Sequence, residues 1–484
     1  MNYKLIANYI GNILRIEGLF MIPALLVSLY HNEFKCVLAF GISIAALLVI
    51  GQLMHMIKPQ KRNVFVREGF AIVSLSWLAI SLFGALPFFI SREIPNFIDC
   101  FFETVSGFTT TGSSILSNVE ALSKGLLYWR SFSHWLGGMG VLVFLLAVVP
   151  NGKDNDAQSL YILRAESPGP TFGKLVSKMR QTAQILYIIY IALTIIEIIL
   201  LFAGGMPLFD SVLNSFATAG TGGFGIKNAS IGAYDSYYLQ GVIGVFMLLF
   251  GVSFNMYYLL LIKRWREVLK SNELKCYLGI SLAAMIIVVL SIMPLYGSIA
   301  DAVRLSAFQV SSIVTTTGYA TADFDAWPSL AKTVLLILMF FGGCMGSTAG
   351  GLKMSRVTVL AQIARNDLRH ALRPREVSTV ILNGRRVDAQ GERQILSYFA
   401  LYIAVIGAVF LLISFEPFGI ETNFSATVSC VNNIGPGFGQ VGPSLSYADY
   451  SAFSKLVLSF AMLLGRLEIY PLLLLLSPQL WTKR

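Results

Sequence analysis

Apolar runs long enough to cross a bilayer recur along the whole chain, and this feature most restricts how it can fold. A membrane-spanning helix needs about 20 consecutive apolar residues. The sequence predicts ten such spans, near 12–30, 36–57, 68–90, 132–150, 183–204, 237–262, 276–296, 331–350, 394–415 and 454–478. Four further apolar stretches are too short to cross, near 96–109, 207–218, 300–314 and 420–431. The pattern indicates an all-α polytopic membrane protein.

Composition supports a chain that faces lipid over most of its surface. Hydrophobic residues make up 55% of the 484 positions and charged residues 13%, whereas a soluble domain carries about 25% charged residues. No small-residue cleavage site follows the first apolar run, so we expect a retained membrane helix there and not a signal peptide. The five cysteines are scattered singly without a C-x-x-C pair, which predicts neither a zinc site nor a disulfide framework.

The net charge of +10 is distributed in a way that predicts the topology. Basic residues concentrate in every second connection between spans, with nine from Lys353 to Arg393 alone. The intervening connections hold few basic residues. By the positive-inside rule, the basic connections and both termini face the cytoplasm. The basic charge is therefore a signal of topology, and we expect no nucleic-acid binding.

The four short apolar stretches belong to an internal repeat. Each follows a long span and precedes a cluster rich in Gly, Thr or Asn. An acid lies upstream of each cluster, namely Asp99, Asp210, Asp301 and Glu421. Aligning the clusters "TTTGSS", "AGTGGF", "TTTGYA" and "NNIGPG" pairs the glycines Gly112, Gly222, Gly318 and Gly435. Irregular backbone at membrane depth is tolerated only inside protein or beside a water-filled cavity. We therefore expect four units of span, re-entrant helix, loop and span around one pore.

The repeated loops suit the passage of a cation. Backbone carbonyls arranged in a ring can replace the hydration shell of K⁺, and glycine permits the dihedrals that turn carbonyls inward. The short helices would direct their negative C-terminal ends at the cavity, which favours cations. The candidate K⁺-binding residues are Thr110, Thr111, Gly112, Ser113, Gly220, Thr221, Gly222, Gly223, Thr316, Thr317, Gly318, Tyr319, Asn433, Ile434, Gly435 and Pro436.

These loops resemble the filter segments of the Trk/Ktr/HKT superfamily, and of its bacterial TrkH/TrkG-type potassium uptake subunits in particular. The resemblance rests on "FFETVSGFTTTGSS", "SFATAGTGGFG", "SSIVTTTGYAT" and "NNIGPGFG" and extends over essentially the whole chain. It implies a K⁺ filter, because a glycine such as Gly112 in the first loop goes with K⁺ preference in that family and serine with Na⁺ transport. It also implies an N-terminal helix pair at 1–60 and four pore repeats at 61–152, 153–265, 266–375 and 376–484.

Two further features carry over from the resemblance. The stretch "GGCMGSTAGGLK" at 342–353 matches a flexible intramembrane loop that gates the pore, with candidate residues Gly342, Gly343, Gly346, Ser347, Thr348, Gly350, Gly351 and Lys353. Its five glycines predict a bend or an unwound segment, although Gly346 and Gly350 could instead form a G-x-x-x-G helix-packing motif. Arg466 lies inside the last span, where the resemblance makes it a positive barrier beneath the filter. The alternative, which does not exclude a barrier, is a buried pair with Glu468 or with a carbonyl of a pore helix.

The resemblance also implies what the chain works with. We expect a homodimer in the bacterial inner membrane, in contact with lipid and regulated by a separate cytosolic RCK-type (TrkA-like) subunit. The transported K⁺ is then the ion that this chain binds, without an organic cofactor, and ATP/ADP or NAD(H) would bind to the partner.

Other interpretations remain open at this stage. Gly220, Gly222 and Gly225 form a G-x-G-x-x-G, the pattern of a dinucleotide-binding turn, which would suit a nucleotide-dependent membrane oxidoreductase. That turn requires a preceding strand and an acid about 20 residues later, and positions 238–252 contain no acid. His134 is expected to pack at the interface and not to act in catalysis, so we expect no enzyme activity. A symporter that couples K⁺ to Na⁺ or H⁺ cannot be distinguished from a channel by the sequence.

Overall fold

The computed structural model describes residues 1–57, 59, 65–140, 179–376 and 378–481, and almost all of their regular structure is helical. The first group of helices is α1 (Tyr3–Phe20), α2 (Ile22–Tyr30), α3 (Phe34–His55), α4 (Val66–Gly84), α5 (Leu86–Ser91), α6 (Phe97–Phe108) and α7 (Lys124–Gly138). The second is α8 (Met179–Ala203), α9 (Leu208–Gly220), α10 (Tyr237–Phe250), α11 (Phe254–Leu261), α12 (Trp265–Lys270), α13 (Asn272–Tyr296), α14 (Ile299–Val314) and α15 (Ser329–Leu338). The last is α16 (Met354–Leu372), α17 (Ala389–Ile413), α18 (Ile420–Asn432), α19 (Ala452–Arg466), α20 (Tyr470–Leu476) and α21 (Pro478–Trp481).

A small antiparallel hairpin interrupts the helices between α16 and α17. Its strands β1 (Ile381–Leu382) and β2 (Arg385–Arg386) are joined by Asn383 and Gly384, both with positive φ. An Asn-Gly pair of this kind favours the tight turn whose twist matches that of the two strands.

The first three helices form two neighbouring antiparallel spans. The helices α1 and α2 together make the first span, and α3 makes the second. A Cβ atom at either Gly11 or Gly51 would lie 2.7 Å from the carbonyl oxygen of the other, so only glycine lets the two helices approach this closely.

Fewer uninterrupted spans are present than the hydropathy pattern predicts. Among the described residues, six helices are long and apolar enough to cross a membrane, and a seventh span is counted if the pair α10 and α11, bent by 91°, is taken together. The predicted spans at 237–262, 331–350 and 454–478 are wrong as single helices, because each breaks part-way along its length. The predicted span at 132–150 lies partly outside the described residues.

The breaks occur where the backbone cannot continue as a helix. The span that begins with α15 stops at Leu338 and resumes only at Met354. The span that begins with α19 stops at Arg466, and the next residues include Glu468 and Ile469 with φ of 52° and 70°. Left-handed dihedrals at residues other than glycine are uncommon and are held by the surrounding structure.

The four short apolar stretches are confirmed as short helices: α6, α9, α14 and α18. Each carries one of the acids noted in the sequence within its first turn, namely Asp99, Asp210, Asp301 and Glu421. A negative charge at this end of a helix is favourable because it faces the positive end of the helix dipole.

Three of these acids also bond their short helix to the repeat that precedes it, where the fourth repeat is counted as preceding the first. Asp99 pairs with Lys455 of α19 at 2.7 Å, Asp301 accepts a hydrogen bond from Tyr237 of α10 at 2.6 Å, and Glu421 lies 3.5 Å from Lys332 of α15. The first of these contacts joins the last unit back to the first. These contacts fix the short helices α6, α14 and α18 to a neighbouring unit.

Candidate functional site: a ring of four glycine loops

All four short helices end in the same turn. Just beyond each helix, a backbone N–H donates to the carbonyl of the residue five positions before it. This bond is typical of a Schellman motif. The four bonds, at 2.8–3.0 Å, are Thr111 to Ser106, Gly222 to Ala217, Thr317 to Ser312 and Ile434 to Ser429. The residue before each donor is left-handed, with φ of 53–56° at Thr110, Thr221, Thr316 and Asn433.

The residue after each donor is a glycine with positive φ, and these four glycines mark equivalent positions. They are Gly112, Gly223, Gly318 and Gly435, with φ of 82°, 74°, 82° and 105°. We call the segments 110–113, 221–224, 316–319 and 433–436 the four glycine loops.

The four loops contact one another head to tail in a closed cycle. A Cβ atom built on Gly112 would lie closer than 3.0 Å to the carbonyl oxygen of Gly222 in the second loop. The same close approach joins Gly223 to Thr317, Gly318 to Ile434, and Gly435 to Thr111. Any side chain at these positions would push two loops apart, so glycine is required by contact as well as by φ.

The geometry corrects the sequence alignment at the second loop. The sequence pairs Gly222 with the three other glycines, whereas the structure places Gly223 at the equivalent position. Gly220, a predicted loop residue, is instead the last residue of α9. Gly222 is glycine for a different reason: a Cβ atom there would clash with the imidazole of His134.

The glycines open on one side into a cavity of about 310 Å³. All four equivalent glycines line it, together with polar residues such as Ser113 and Ser114. At the fourth loop the carbonyl of Gly435 accepts hydrogen bonds from Tyr447 at 2.8 Å and from Ser113 at 3.1 Å. These bonds fix the fourth loop against the first.

Below the glycines lies a layer of hydroxyl groups. Thr109 and Thr111 share a hydrogen bond at 2.7 Å, and Thr315 and Thr317 share one at 2.8 Å. In the fourth loop the amide of Asn433 donates to the Thr111 hydroxyl at 2.9 Å. Carbonyl and hydroxyl oxygens are thus concentrated at the ring, and oxygen ligands of this type can take the place of water around a monovalent cation.

The glycine-rich segment 342–353 lies against the other side of the ring. It is not helical, so the predicted unwound segment is confirmed and the alternative of a G-x-x-x-G helix packing motif at Gly346 and Gly350 is wrong. The segment folds back on itself, because Gly342 donates its N–H to Leu352 at 3.0 Å and Met354 donates to Gly343 at 3.1 Å.

Hydrogen bonds fix this segment to its neighbours on two sides. The N–H of Gly350 donates to the Thr316 hydroxyl in the third glycine loop at 2.7 Å. The N–H of Cys344 donates to Gly251 at 2.8 Å, and Phe254 donates to Gly346 at 3.0 Å, at the bend between α10 and α11. The segment therefore occupies the space between the ring and the bent helix pair.

Arg466 connects three elements beneath the ring. Its guanidinium donates to the carbonyl of Thr348 in the glycine-rich segment at 2.9 Å and to that of Gly138, at the end of α7, at 2.6 Å. It also donates to Gly137. These carbonyls belong to the end of α7 and to the glycine-rich segment, so the expected pore-helix carbonyl is not among them, and the Glu468 carboxylate pairs with Arg356. Sequence reasoning had no signal for that pair, whose members lie on different broken spans.

Comparison with known proteins gives a consistent result. A family model described as TrkH, cation transport protein, matches residues 38–483. The chain belongs to the TrkH family. It is 32% identical to the Trk system potassium uptake protein TrkG of Escherichia coli, over 99% of this chain and 98% of the relative. Its identity to the Trk system potassium uptake protein TrkH of Salmonella typhimurium is also 32%, over 99% of this chain and 100% of the relative.

The fold is that of the TrkH family as well. The crystal structure of the potassium transporter TrkH from Vibrio parahaemolyticus superposes with a TM-score of 0.88 at 30% sequence identity, covering 100% of both chains. With its several apolar spans, this TrkH-family chain is a membrane protein.

The G-x-G-x-x-G pattern has a different role in this TrkH-family chain. The element before it is the helix α9, not a strand, and its first glycine ends that helix. These residues therefore lack the strand that a dinucleotide turn requires before it, as the sequence led us to expect. Gly225 instead accepts a hydrogen bond from Arg130 through its carbonyl, at 2.8 Å.

Arg130 and Glu103 form a buried pair that the sequence analysis missed. The guanidinium bonds the carboxylate at 2.6 Å and lies 3.5 Å from the ring centroid of Phe224 in the second glycine loop. The carboxylate also accepts the N–H of Ile115 at 3.0 Å, just beyond the first loop. The pair thus joins two neighbouring loops. The available signal was Glu103 inside the apolar stretch 96–109 and Arg130 just before the predicted span at 132–150.

His134 packs against the same pair of loops. Its Nδ1 lies 2.9 Å from the carbonyl of Gly107, and its ring centroid is 4.1 Å from that of Phe224. The expected packing role agrees with this position, although the side chain is fully buried and not interfacial.

Proposed function

We propose that this chain is the K⁺-conducting subunit of a Trk-type uptake system and that the four glycine loops are its selectivity filter. The observation that carries the proposal is the closed cycle of contacts between Gly112, Gly223, Gly318 and Gly435, which brings four equivalent turns around one axis. The names of the relatives, which are potassium uptake proteins, support the same ion.

In this proposal the filter binds K⁺ through backbone oxygens. An entering ion loses its water to carbonyls of the loops, and the Thr hydroxyls beneath provide further ligands. The four short helices end at the ring, so their partial negative charges favour a cation there. The proposed ligands are the predicted residues with Phe224 added and Gly220 removed, in agreement with the corrected alignment.

The segment 342–353 and Arg466 form the gate in this proposal. The segment lies next to the third and fourth loops, since Gly350 contacts both Thr316 and Asn433. Arg466 places a positive charge among the carbonyls of the segment and of α7. A cation that leaves the ring on this side would meet both.

We further propose the arrangement of the chain in the membrane and its partners. The basic connections, including that from Lys353 to Arg393, face the cytoplasm of a bacterial inner membrane, as do both termini. In this proposal the N-terminal helix pair covers residues 1–60 and the four pore units cover 61–152, 153–265, 266–375 and 376–484. The chain forms a homodimer with a pore in each protomer. A separate cytosolic RCK-type subunit regulates it and binds ATP/ADP or NAD(H).

Ion flux into liposomes that contain the purified chain tests the proposal. We expect K⁺ to permeate more readily than Na⁺, and equal permeation of both ions would contradict the filter assignment. The reversal potential under imposed Na⁺ and proton gradients then distinguishes the alternatives. A channel follows the K⁺ gradient alone, whereas a symporter shifts with the coupled ion.

A further inference from the structure

Glu273, the second residue of α13, bonds to Met345 within the glycine-rich segment and to Ser355, two residues beyond its end in α16. One carboxylate oxygen accepts the N–H of Met345 at 2.6 Å and the N–H of Ser355 at 3.1 Å. The side chain is only 4% exposed. A single buried oxygen thus joins two backbone positions ten residues apart in the chain.

The chemistry of the segment explains the need for such an acceptor. Non-helical backbone in apolar surroundings leaves N–H groups that must find a partner. A carboxyl oxygen has two lone pairs and can accept both N–H groups. Glu273 therefore fixes Met345 and Ser355 to the first turn of α13.

The hairpin between α16 and α17 contacts the residues that position Glu273. The side-chain oxygen of Asn383, at the tip of the hairpin, accepts the Ser271 hydroxyl at 3.0 Å and the N–H of Glu273 at 3.4 Å. Ser271 is also the N-cap of α13, because its hydroxyl accepts the N–H of Leu274 at 3.2 Å. Asn383 thus bonds to the first turn of the helix that presents the carboxylate.

The base of the hairpin is fixed to α16, the helix that follows the glycine-rich segment. The side chain of Gln362 pairs with the backbone of Ile381 through two hydrogen bonds of 3.0 Å. Val380 packs with Val359 and Ile363 of α16 and with Ile395 of α17. The hairpin therefore joins α16 and α17 to the start of α13.

We propose that Glu273 is a positioning residue that latches the glycine-rich segment, and that the hairpin at 380–387 controls the latch through Asn383. This rests on the proposed function, in which the segment is the gate. A regulatory partner that moves the hairpin would shift the first turn of α13 and release the bonds to Met345 and Ser355. The hairpin is exposed, so such a partner can reach it.

Thiol labelling of Cys344 tests the latch without relying on ion conduction. Cys344 is fully buried next to Met345, and substitution of Cys36, Cys100, Cys276 and Cys430 leaves it as the only thiol. In the full chain in liposomes, we expect Glu273→Ala to raise its rate of modification by a small methanethiosulfonate reagent about tenfold or more, the factor for losing two hydrogen bonds. Glu273→Gln keeps an acceptor oxygen and should raise the rate less.

The matched control is Glu267→Ala, which removes an exposed carboxylate of α12 that pairs with Arg264 on the surface. An equal labelling rate in Glu273→Ala and this control would overturn the proposal. Where Glu273→Ala does not fold, Asn383→Ala at the exposed tip takes its place: faster labelling supports the latch and an unchanged rate overturns it. Faster labelling with unchanged K⁺ flux would support the latch and instead refute the gate role of the segment.

Discussion

Gly350 donates its backbone N–H to the hydroxyl of Thr316 at 2.7 Å, which ties the glycine-rich segment directly to the third glycine loop. Thr316→Val removes the acceptor and leaves a buried N–H without a partner, at a cost of about 1–3 kcal/mol. We expect the segment to loosen and K⁺ flux through the purified chain in liposomes to rise.

Thr110→Val is the matched control, because Thr110 occupies the same position in the first loop with the same φ of 55°. Its hydroxyl is buried and has no hydrogen-bond partner among the described residues. Flux that rises equally in both variants would show that the effect comes from the ring and not from the bond to Gly350.

Gly112→Ser should reduce the preference for K⁺ over Na⁺. Gly112 has a φ of 82°, and a side chain there meets the carbonyl of Gly222 in the next loop. Gly297→Ser places the same residue at a φ of 64° with nothing within 4 Å, so it controls for backbone strain alone. Relative permeability from reversal potentials is the measurement, and an unchanged ratio in Gly112→Ser would count against the assignment of this loop to the filter.

Arg466→Ala should raise K⁺ flux. A unit charge about 8 Å from a permeating cation costs it about 2 kcal/mol at an effective dielectric constant of 20, so we expect a rise of about tenfold or more. Arg466→Lys keeps the charge but cannot serve the three carbonyls of Thr348, Gly137 and Gly138 with one planar group. Equal flux in the two variants would assign the effect to the lost hydrogen bonds, and wild-type flux in a folded Arg466→Ala would exclude a barrier.

The pair of Asp99 and Lys455 should stabilise the closure of the ring between its last and first units. Asp99→Asn is expected to lower the free energy of unfolding by about 1.5–3 kcal/mol, as for a hydrogen bond to a charged group, and so to lower the midpoint of thermal unfolding in detergent. Lys455→Met should have a similar effect. If the double variant loses the full sum of the two single effects, the residues are not coupled.

Hydropathy predicted the four short helices well because their ends are chemically marked. An acid stands in each first turn, and a Gly, Thr or Asn cluster follows each last turn. Among the breaks in the long spans, the glycines of 342–353 marked one, whereas the break after Arg466 left no comparable mark. The left-handed Glu468 and Ile469 are ordinary residues in an apolar run, and only their tertiary contacts impose that backbone.

The register of the second loop could not be read from the sequence because Gly222 and Gly223 are adjacent. Either could be paired with Gly112, and the choice depends on which N–H closes the helix and which residue is left-handed. The partners of buried charges are similarly hidden. Glu468 is two residues from Arg466 in the chain, yet it pairs with Arg356, on a separate element.

The head-to-tail cycle of the four loops is encoded in a single polypeptide. In a pore built from four identical subunits, a point mutation changes every quadrant at once. Here it changes one quadrant, so Thr316 and Asn433 can differ at equivalent positions while the ring stays closed. In the proposed filter, evolution can therefore adjust the preference for one ion in small independent steps. Each quadrant can also acquire a task of its own, as the third has done by holding Gly350.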